Sequence, residues 1–126
     1  MDYVQADQVL ALRPFVPAKD FALSKRFYQA LGFALTHDAE DIAFLKLGSF
    51  SFILQDFYVQ AAAENMMLQV LVRDVAAWWR GIDADTLVRE FGVQPPRAPA
   101  LQSWGMTVGF VFDPCGVLWH VAEAPF

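Results

Sequence analysis

The hydrophobic pattern of the chain alternates between the period of strands and the period of helices. Short apolar runs bounded by turn-forming residues are typical of β-strands. In two places the apolar residues instead recur every three or four positions, which is the spacing of one helix face. The predicted strands cover residues 9–16, 33–38, 42–47, 50–56, 66–72, 106–112 and 117–123.

Both predicted helices begin directly after an aspartate. Asp20 and Asp74 precede the helical spacing and fit the role of N-cap, in which the side chain accepts a hydrogen bond from the first turn. Gly32 ends the first helix, because glycine is the usual residue just past a helix C-terminus. Gly92 ends the second helix, which either continues or restarts through residues 87–91.

The order of elements is β-α-β-β-β, repeated twice. Residues 57–65 connect the two halves, and residues 93–100, with three prolines, are predicted to form a short strand followed by a loop. The pattern predicts an α+β protein with one domain over residues 1–126, whose modules span about 9–56 and about 66–123. An ordinary α+β sandwich without internal symmetry is the alternative.

Composition sharpens this picture. Apolar residues make up 56% of the chain, with twelve Phe and four Trp, which is more than one small core needs. Either two cores exist, or some apolar surface is buried against a partner or ligand. The net charge of -5 and the absence of a Lys or Arg run speak against a nucleic-acid partner.

The single cysteine, Cys115, rules out a disulfide within the chain and agrees with a reducing compartment. Residues 1–7 show no signal-peptide pattern, and the apolar run over residues 42–54 is too short and too polar to span a bilayer. We therefore expect a cytoplasmic protein that neither crosses nor binds a membrane.

Several motifs, taken in order, resemble one known family. A Phe-Tyr pair followed by Leu-Gly-Phe, a Trp-Gly pair and an Asp-Pro-x-Gly turn occur at the family's spacing, together with the stretches that precede both helices. The chain is identified by these motifs as similar to the glyoxalase/bleomycin-resistance/dioxygenase (vicinal oxygen chelate) superfamily, and most of all to its bleomycin-resistance-like members. The matching residues are 14–20, Ser24, Phe27, Tyr28, 31–33, 50–55, 71–75, Trp104, Gly105 and 113–118.

The resemblance implies a fold of two tandem βαβββ modules, which form a cup-shaped mixed sheet with the helices on the outside. It also implies a homodimer whose cups are shared between subunits. Enzymes of the superfamily hold a divalent metal through His or Glu at four strand positions. Here those positions fall on or near Arg13, Gln55, Met67 and His120. An arginine has no lone pair to give and a thioether suits these metals poorly, so we expect no metal and no cofactor.

Strand alternation places Leu118, His120 and Ala122 on one face, and the resemblance implies that this face lines the cup. His120 is there either a cavity residue or a satisfied core histidine. Met67 and Gln69 share a face and either line the cup or pack in the core. Cys115 is interpreted as a structural turn residue, since it has no evident base.

Loop aromatics complete the candidate site. Trp104 either stacks on a ligand or closes the end of a core, and Phe57 and Tyr58 are candidates for the cup rim or an interface. We expect no catalytic residue. The predicted ligand-binding residues are Trp104, Phe57, Tyr58, His120, Met67, Gln69 and Arg13.

The sequence thus predicts a metal-independent protein that sequesters a small molecule, amphipathic and aromatic or glycopeptide-like, in a cavity at a dimer interface. Antibiotic resistance is the role that the resemblance implies. The alternative is a lyase or isomerase of glyoxalase type, or a dioxygenase, using a divalent metal. A third possibility is a dimeric module without a small ligand.

Overall fold

The computed structural model describes residues 5–126 and contains two βαβββ modules in tandem. The prediction that residues 1–7 do not form a signal peptide concerns a segment that lies partly outside this range. Within it, every helix is too short or too polar to cross a membrane. The strands are β1 Phe15–Pro17, β2 Ala34–Asp38, β3 Ile42–Leu47, β4 Phe50–Gln55, β5 Met67–Val72, β6 Arg97–Leu101, β7 Thr107–Phe112 and β8 Leu118–Glu123. The helices are α1 Phe21–Leu31, α2 Gln60–Asn65, α3 Val75–Gly81 and α4 Ala84–Phe91, preceded by a 3₁₀ turn at Ala6–Gln8.

Each module forms its own open, four-stranded mixed sheet. The first sheet has the order β1-β4-β3-β2 and the second has the order β5-β8-β7-β6. In both, the first strand of the module is parallel to its last strand, and the other pairs are antiparallel. The α+β fold with two equivalent modules, predicted from the sequence, is therefore confirmed.

The helix ends follow from the capping residues. Asp20 and Asp74 accept hydrogen bonds from the backbone N–H three residues later, at 3.1 and 3.0 Å. Gly32 and Gly92 end α1 and α4 with φ of 114° and 66°, where a side chain would be strained. These four predictions are confirmed. The second helix restarts rather than continues, because Asp83 caps α4 through the Thr86 N–H.

Three local predictions are wrong. Residues 93–100 are not a strand followed by a loop, because β6 lies at the end of the segment, from Arg97 to Leu101. Pro99 fits there because β6 is an edge strand, where a missing N–H costs no sheet hydrogen bond. The connector over residues 57–65 contains α2, whose alanine run favours a helix. β1 is shorter than residues 9–16, since only Phe15–Pro17 pairs with β4.

One core joins the two modules. Phe27 of α1 packs edge-to-face on Phe91 of α4, with ring centroids 5.5 Å apart. Tyr28, Phe33 and Phe52 of the first module all contact Trp119 of the second, with centroids 5.4–5.7 Å apart. The helices thus cover one face of each sheet, and the modules meet through those covered faces.

A buried hydrogen-bond network ties this core to the turn between β7 and β8. The Tyr28 hydroxyl donates to Asp113 Oδ2 at 2.6 Å and accepts from Trp119 Nε1 at 2.9 Å. Asp113 Oδ1 accepts from the backbone N–H of Cys115 and of Val117, both at 2.9 Å. Burial raises the pKa of Asp113, and burial together with this carboxylate raises the pKa of Tyr28. The network fixes the Asp-Pro-Cys-Gly turn against α1.

Candidate ligand-binding faces

The first sheet has one face covered by α1 and one face that the described chain leaves open. Val16, Leu45 and Leu54 lie on the covered face and are fully buried. The strand register places the alternate residues on the other side, and we call this set the first open face. It consists of Phe15, Pro17, Ala34, His37, Ile42, Phe44, Lys46, Ser51, Ile53 and Gln55.

Arg13 extends over the first open face from the segment before β1. Its Nε donates to Ser51 Oγ at 3.0 Å, and its guanidinium lies 5.0 Å from the centre of the Phe44 ring. A guanidinium stacked on a ring keeps its orientation and its outward N–H groups. The structure therefore places the predicted residue Arg13 on an open, largely apolar surface.

The second sheet has a similar arrangement, except that two residues on its other face, Val108 and Ala122, are buried. Trp119, Val121 and Glu123 face the helices, whereas Leu118, His120 and Ala122 face the other way, as strand alternation predicts. The second open face consists of Met67, Gln69, Leu71, Arg97, Ala100, Val108, Phe110, Phe112, Leu118, His120 and Ala122.

His120 lies in a row of side chains that crosses the second open face. Gln69 is its register partner on β5, and Phe110 is its partner on β7. The His120 and Phe110 ring centroids are 4.9 Å apart at 74°. His120 Nε2 is buried and finds no hydrogen-bond partner among residues 5–126. An unpaired buried nitrogen costs free energy, so this position destabilises the fold slightly as it stands.

The remaining predicted residues lie at the ends of the sheets. Met67 starts β5 and is 64% exposed, and Trp104 lies 55% exposed in the turn between β6 and β7. Phe57 and Tyr58 follow β4; Phe57 is exposed, and Tyr58 is half-buried with the Lys19 ammonium 5.4 Å from its ring.

One chain does not bring all the predicted residues together. Gln69 and His120 are direct neighbours, and Met67 lies on the same face. Arg13 lies on the first open face, on the other sheet. Sequence reasoning missed Phe44, Phe110, Lys46 and Arg97 on these faces. The alternation of β3 and β7 carries that signal, because it places Phe44 and Lys46, or Phe110 and Phe112, on one side.

A cavity of about 670 Å³ lies between the modules, near the edge of the second sheet, and its lining includes Ser51 of the first open face with Gln69 and Leu71 of the second. Its floor includes the core rings of Phe33 and Trp119, and Gln69 is the predicted site residue that reaches it. The rest of its lining comes from the arm before β1, the β3–β4 hairpin and β5.

A smaller cavity of about 530 Å³ at the start of β5 is lined by Met67, Phe112 and Leu118, with Glu64, Asn65, Gln94 and Gly116.

The open faces do not fit a divalent metal. Among residues 5–126, no three His, Cys, Asp or Glu side chains converge on one point. The register neighbours of His120 are an amide and a phenyl ring, and Arg13 brings a positive charge. Three or more oxygen, nitrogen or thiolate donors are what such an ion requires.

Solved structures share this fold. A bleomycin-binding protein from Streptomyces verticillus, complexed with copper(II)-bleomycin, is 21% identical with a TM-score of 0.73, over 92% of this chain and 97% of that chain. A bleomycin resistance determinant encoded on the transposon Tn5 is 22% identical with a TM-score of 0.72, over 91% and 98%. A lactoylglutathione lyase from Agrobacterium tumefaciens is 16% identical with a TM-score of 0.63, over 90% and 93%. At these identities the likeness establishes the fold alone.

No curated protein matches the chain significantly. The sequence profile of one family does match, and it covers residues 6–121, which include all four helices and both sheets except the last two residues of β8. The two modules, their equivalent sheets and this match lead to one conclusion: the chain belongs to the Glyoxalase/Bleomycin resistance protein/Dioxygenase superfamily.

Proposed function

We propose that the protein is a metal-independent binder of small molecules, which sequesters an amphipathic aromatic or glycopeptide-like compound between two subunits in the cytoplasm. The observation that carries the proposal is the pair of open sheet faces. Both are apolar and aromatic with a few polar groups, which is the composition of small-molecule sites. The solved relatives in complex with bleomycin support the ligand class.

A homodimer is part of the proposal, because one chain leaves its two open faces on different sheets. The chain also exposes large apolar side chains on the arm before β1, where Leu10 and Leu12 are 98% and 91% exposed. Contiguous exposed apolar surface is typical of an interface. A second copy would cover this surface and bring the first open face of one subunit opposite the second open face of the other.

The chemistry of binding is burial between rings, with polar groups fixing the orientation. Phe44 and Phe110 supply aromatic surface near the middle of each sheet, and Trp104 supplies a further ring at the end of the second sheet. The exposed Gln69 amide offers hydrogen bonds to a ligand, and the His120 ring lies beside it. No proton transfer or bond cleavage is required of any residue.

The test is a thermal-shift and calorimetric titration with metal-free bleomycin, copper-loaded bleomycin and a panel of aromatic compounds. We expect at least one of them to raise the Tm, because a ligand that binds only the folded state stabilises it. Gln69→Ala should weaken that binding, whereas Gln29→Ala, an exposed glutamine on α1, should not. An unchanged Tm with every compound would refute the proposal.

The same preparation tests the enzymatic alternative. A purified protein that holds about one equivalent of a divalent metal, and loses an activity when a chelator removes it, would favour a lyase, isomerase or dioxygenase. Less than about a tenth of an equivalent, with binding unaffected by the chelator, supports the binding protein.

A further inference from the structure

The charges of the protein are distributed unevenly between its open faces and the rest of its surface. The chain has 14 Asp and Glu against 9 Lys and Arg, so its overall charge favours cationic ligands. Among residues 5–126, neither open face carries a carboxylate. Three cations do lie on these faces: Lys46 and Arg97 through the strand register, and Arg13 through its contacts.

The two strand carboxylates point to the covered faces. Asp38 on β2 forms an ion pair with Lys25 of α1 at 2.9 Å. Glu123 on β8 accepts from the Val75 N–H at the start of α3, at 3.3 Å. The other described acids lie outside the strands, where several cap helices or hold turns, so the separation of charge is built into the fold.

The cations on the open faces have no described carboxylate within ion-pair distance. The one ion pair among residues 5–126 joins Lys25 and Asp38, and neither residue belongs to an open face. Arg13 donates through its Nε to Ser51, its terminal nitrogens make no hydrogen bond within residues 5–126, and its guanidinium lies 5.0 Å from the centre of the Phe44 ring. Arg97 lies 5.7 Å from the centre of the Phe112 ring. Within the described part of the chain, each sheet thus presents a guanidinium without a carboxylate partner beside an aromatic ring.

Carboxylates near the sheets lie at the ends of the strands. Asp41 and Asp56 adjoin the ends of β3 and β4, and Asp56 is five residues from Ser51, roughly 16 Å along the strand. That exceeds the screening length of about 10 Å at 0.1 M salt, whereas Asp41 is three residues from Phe44, roughly 10 Å along β3, which is about equal to that length. Glu64 borders the smaller cavity near Met67 and accepts from Gln60 Nε2 at 3.0 Å.

We infer that the ligand is an aromatic anion, a flat apolar ring system that carries a carboxylate or phosphate. This inference rests on the proposed binding function and specifies its ligand. The rings on the open faces contact the flat part, and in the proposed dimer Arg13 of one subunit and Arg97 of the other both donate to the anionic oxygens. A guanidinium fork matches the two oxygens of such a group, and a charged hydrogen bond is stronger than a neutral one.

The test uses isosteric naphthalenes that differ in charge. We would titrate the full chain by calorimetry with 1-naphthoate, naphthalene-1-carboxamide, 1-naphthylmethylammonium and 1-naphthyl phosphate. The two anions should bind about tenfold more tightly than the carboxamide, with the ammonium weakest. A comparison of the carboxylate with the phosphate then distinguishes the two anionic groups. Affinity for the anions should fall as salt is added, because screening weakens exposed charge contacts.

Two substitutions test whether Arg13 and Arg97 contact the anionic group of the ligand. Arg13→Gln and Arg97→Gln should each lower the affinity for the preferred anion by about threefold and leave that for the carboxamide unchanged. Arg26→Gln is the matched control, since Arg26 is exposed on α1, away from both faces. An equal loss with Arg26→Gln would overturn the inference, because only the overall charge would then matter.

Failure of this inference is distinguishable from failure of the proposed function. Equal or tighter binding of the carboxamide or the ammonium overturns the anion preference and leaves a binding protein. Binding of bleomycin with no binding of any naphthalene does the same. Binding of none of the naphthalenes, with no Tm shift from bleomycin or the panel, refutes both.

Discussion

The hydroxyl of Tyr28 has two partners in the core, and each depends on it. It donates to Asp113 and accepts from Trp119. Tyr28→Phe would leave the Asp113 Oδ2 and the Trp119 N–H unpaired in a buried site. We expect the free energy of unfolding to fall by about 1–3 kcal/mol, measured by urea denaturation.

Tyr58→Phe is the matched control, because Tyr58 is half-buried and its ring, rather than its hydroxyl, makes the contact to Lys19. Its free energy of unfolding should change by less than about 0.5 kcal/mol. Equal effects of the two substitutions would contradict a special role for the network.

Asp113 gives the folded state a specific pH dependence. Burial raises its pKa above the usual 3.8, so the folded state holds the proton over a range in which the unfolded chain has lost it. The contribution of this carboxyl to stability is full below 3.8 and is lost as the pH rises through the folded pKa. The free energy of unfolding should therefore fall, relative to Asp113→Asn, as the pH is raised from 3.8 towards neutrality.

Urea denaturation of both proteins at a series of pH values measures this difference. The asparagine keeps a carbonyl oxygen for the N–H groups of Cys115 and Val117, which makes it the conservative variant. Parallel pH profiles of the two proteins would show that Asp113 titrates alike in the folded and unfolded states.

The thiol of Cys115 should be inert in the folded protein. It is buried and donates to the Pro17 carbonyl at 3.1 Å. Burial, with the Asp113 charge as the second cause, raises its pKa from 9.0 to about 12, so the reactive thiolate is scarce near pH 8. Alkylation by iodoacetamide, followed by mass spectrometry, should be slow in the folded protein and rapid in guanidinium. Equal rates would mean that the thiol is accessible.

At the scale of elements, two helix-terminal glycines differ in what they contribute. Gly92 ends α4 with φ of 66°, a conformation that strains an L-residue. Gly81 in α3 has no such φ, and the space that a β-carbon would occupy there is open. Gly92→Ala should lower the free energy of unfolding by about 1 kcal/mol. Gly81→Ala should be neutral or slightly stabilising in the same urea experiment. A larger loss of stability with Gly81→Ala than with Gly92→Ala would contradict the conclusion that only Gly92 needs its backbone conformation.

Elements with local signals could be predicted from the sequence, and those set by tertiary contacts could not. Asp20, Asp74 and the glycines after helices act on their own turns, so their effect is visible in the letters. The edge position of β6 arises from pairing with β7, which makes Pro99 tolerable in a strand. The short helix α2 was missed because its alanines carry no hydrophobic period.

In the candidate site, too, features with a local sequence signal could be predicted and features set by tertiary contacts could not. The side of each strand that carries Gln69 or His120 follows from a period of two, and the resemblance implied that the His120 side lines the cup; the pairing of the two residues is known only from the structure. The stacking of Arg13 on Phe44 joins residues from a non-strand segment and from β3, so no local pattern reports it. The charge of the faces likewise depends on which side of each strand is covered, and that is decided by packing.

At the scale of the whole molecule, the proposed dimer should depend on the arm before β1. Sedimentation should give twice the chain mass of 14.2 kDa. Leu10→Ser combined with Leu12→Ser removes two of the most exposed apolar side chains and should weaken association while circular dichroism stays unchanged. A parent protein that is monomeric at all micromolar concentrations would refute the dimer.

The network between the modules also bears on biosynthesis. Tyr28 and Trp119 are 91 positions apart, and Tyr28 and Asp113 are 85 positions apart. The first module thus emerges from the ribosome long before the hairpin that completes its core, and its rings at Phe33 and Phe52 lack Trp119 until then. A nascent chain of half length should consequently be sensitive to protease and should engage chaperones, and native packing should follow only when the β7–β8 hairpin has left the exit tunnel.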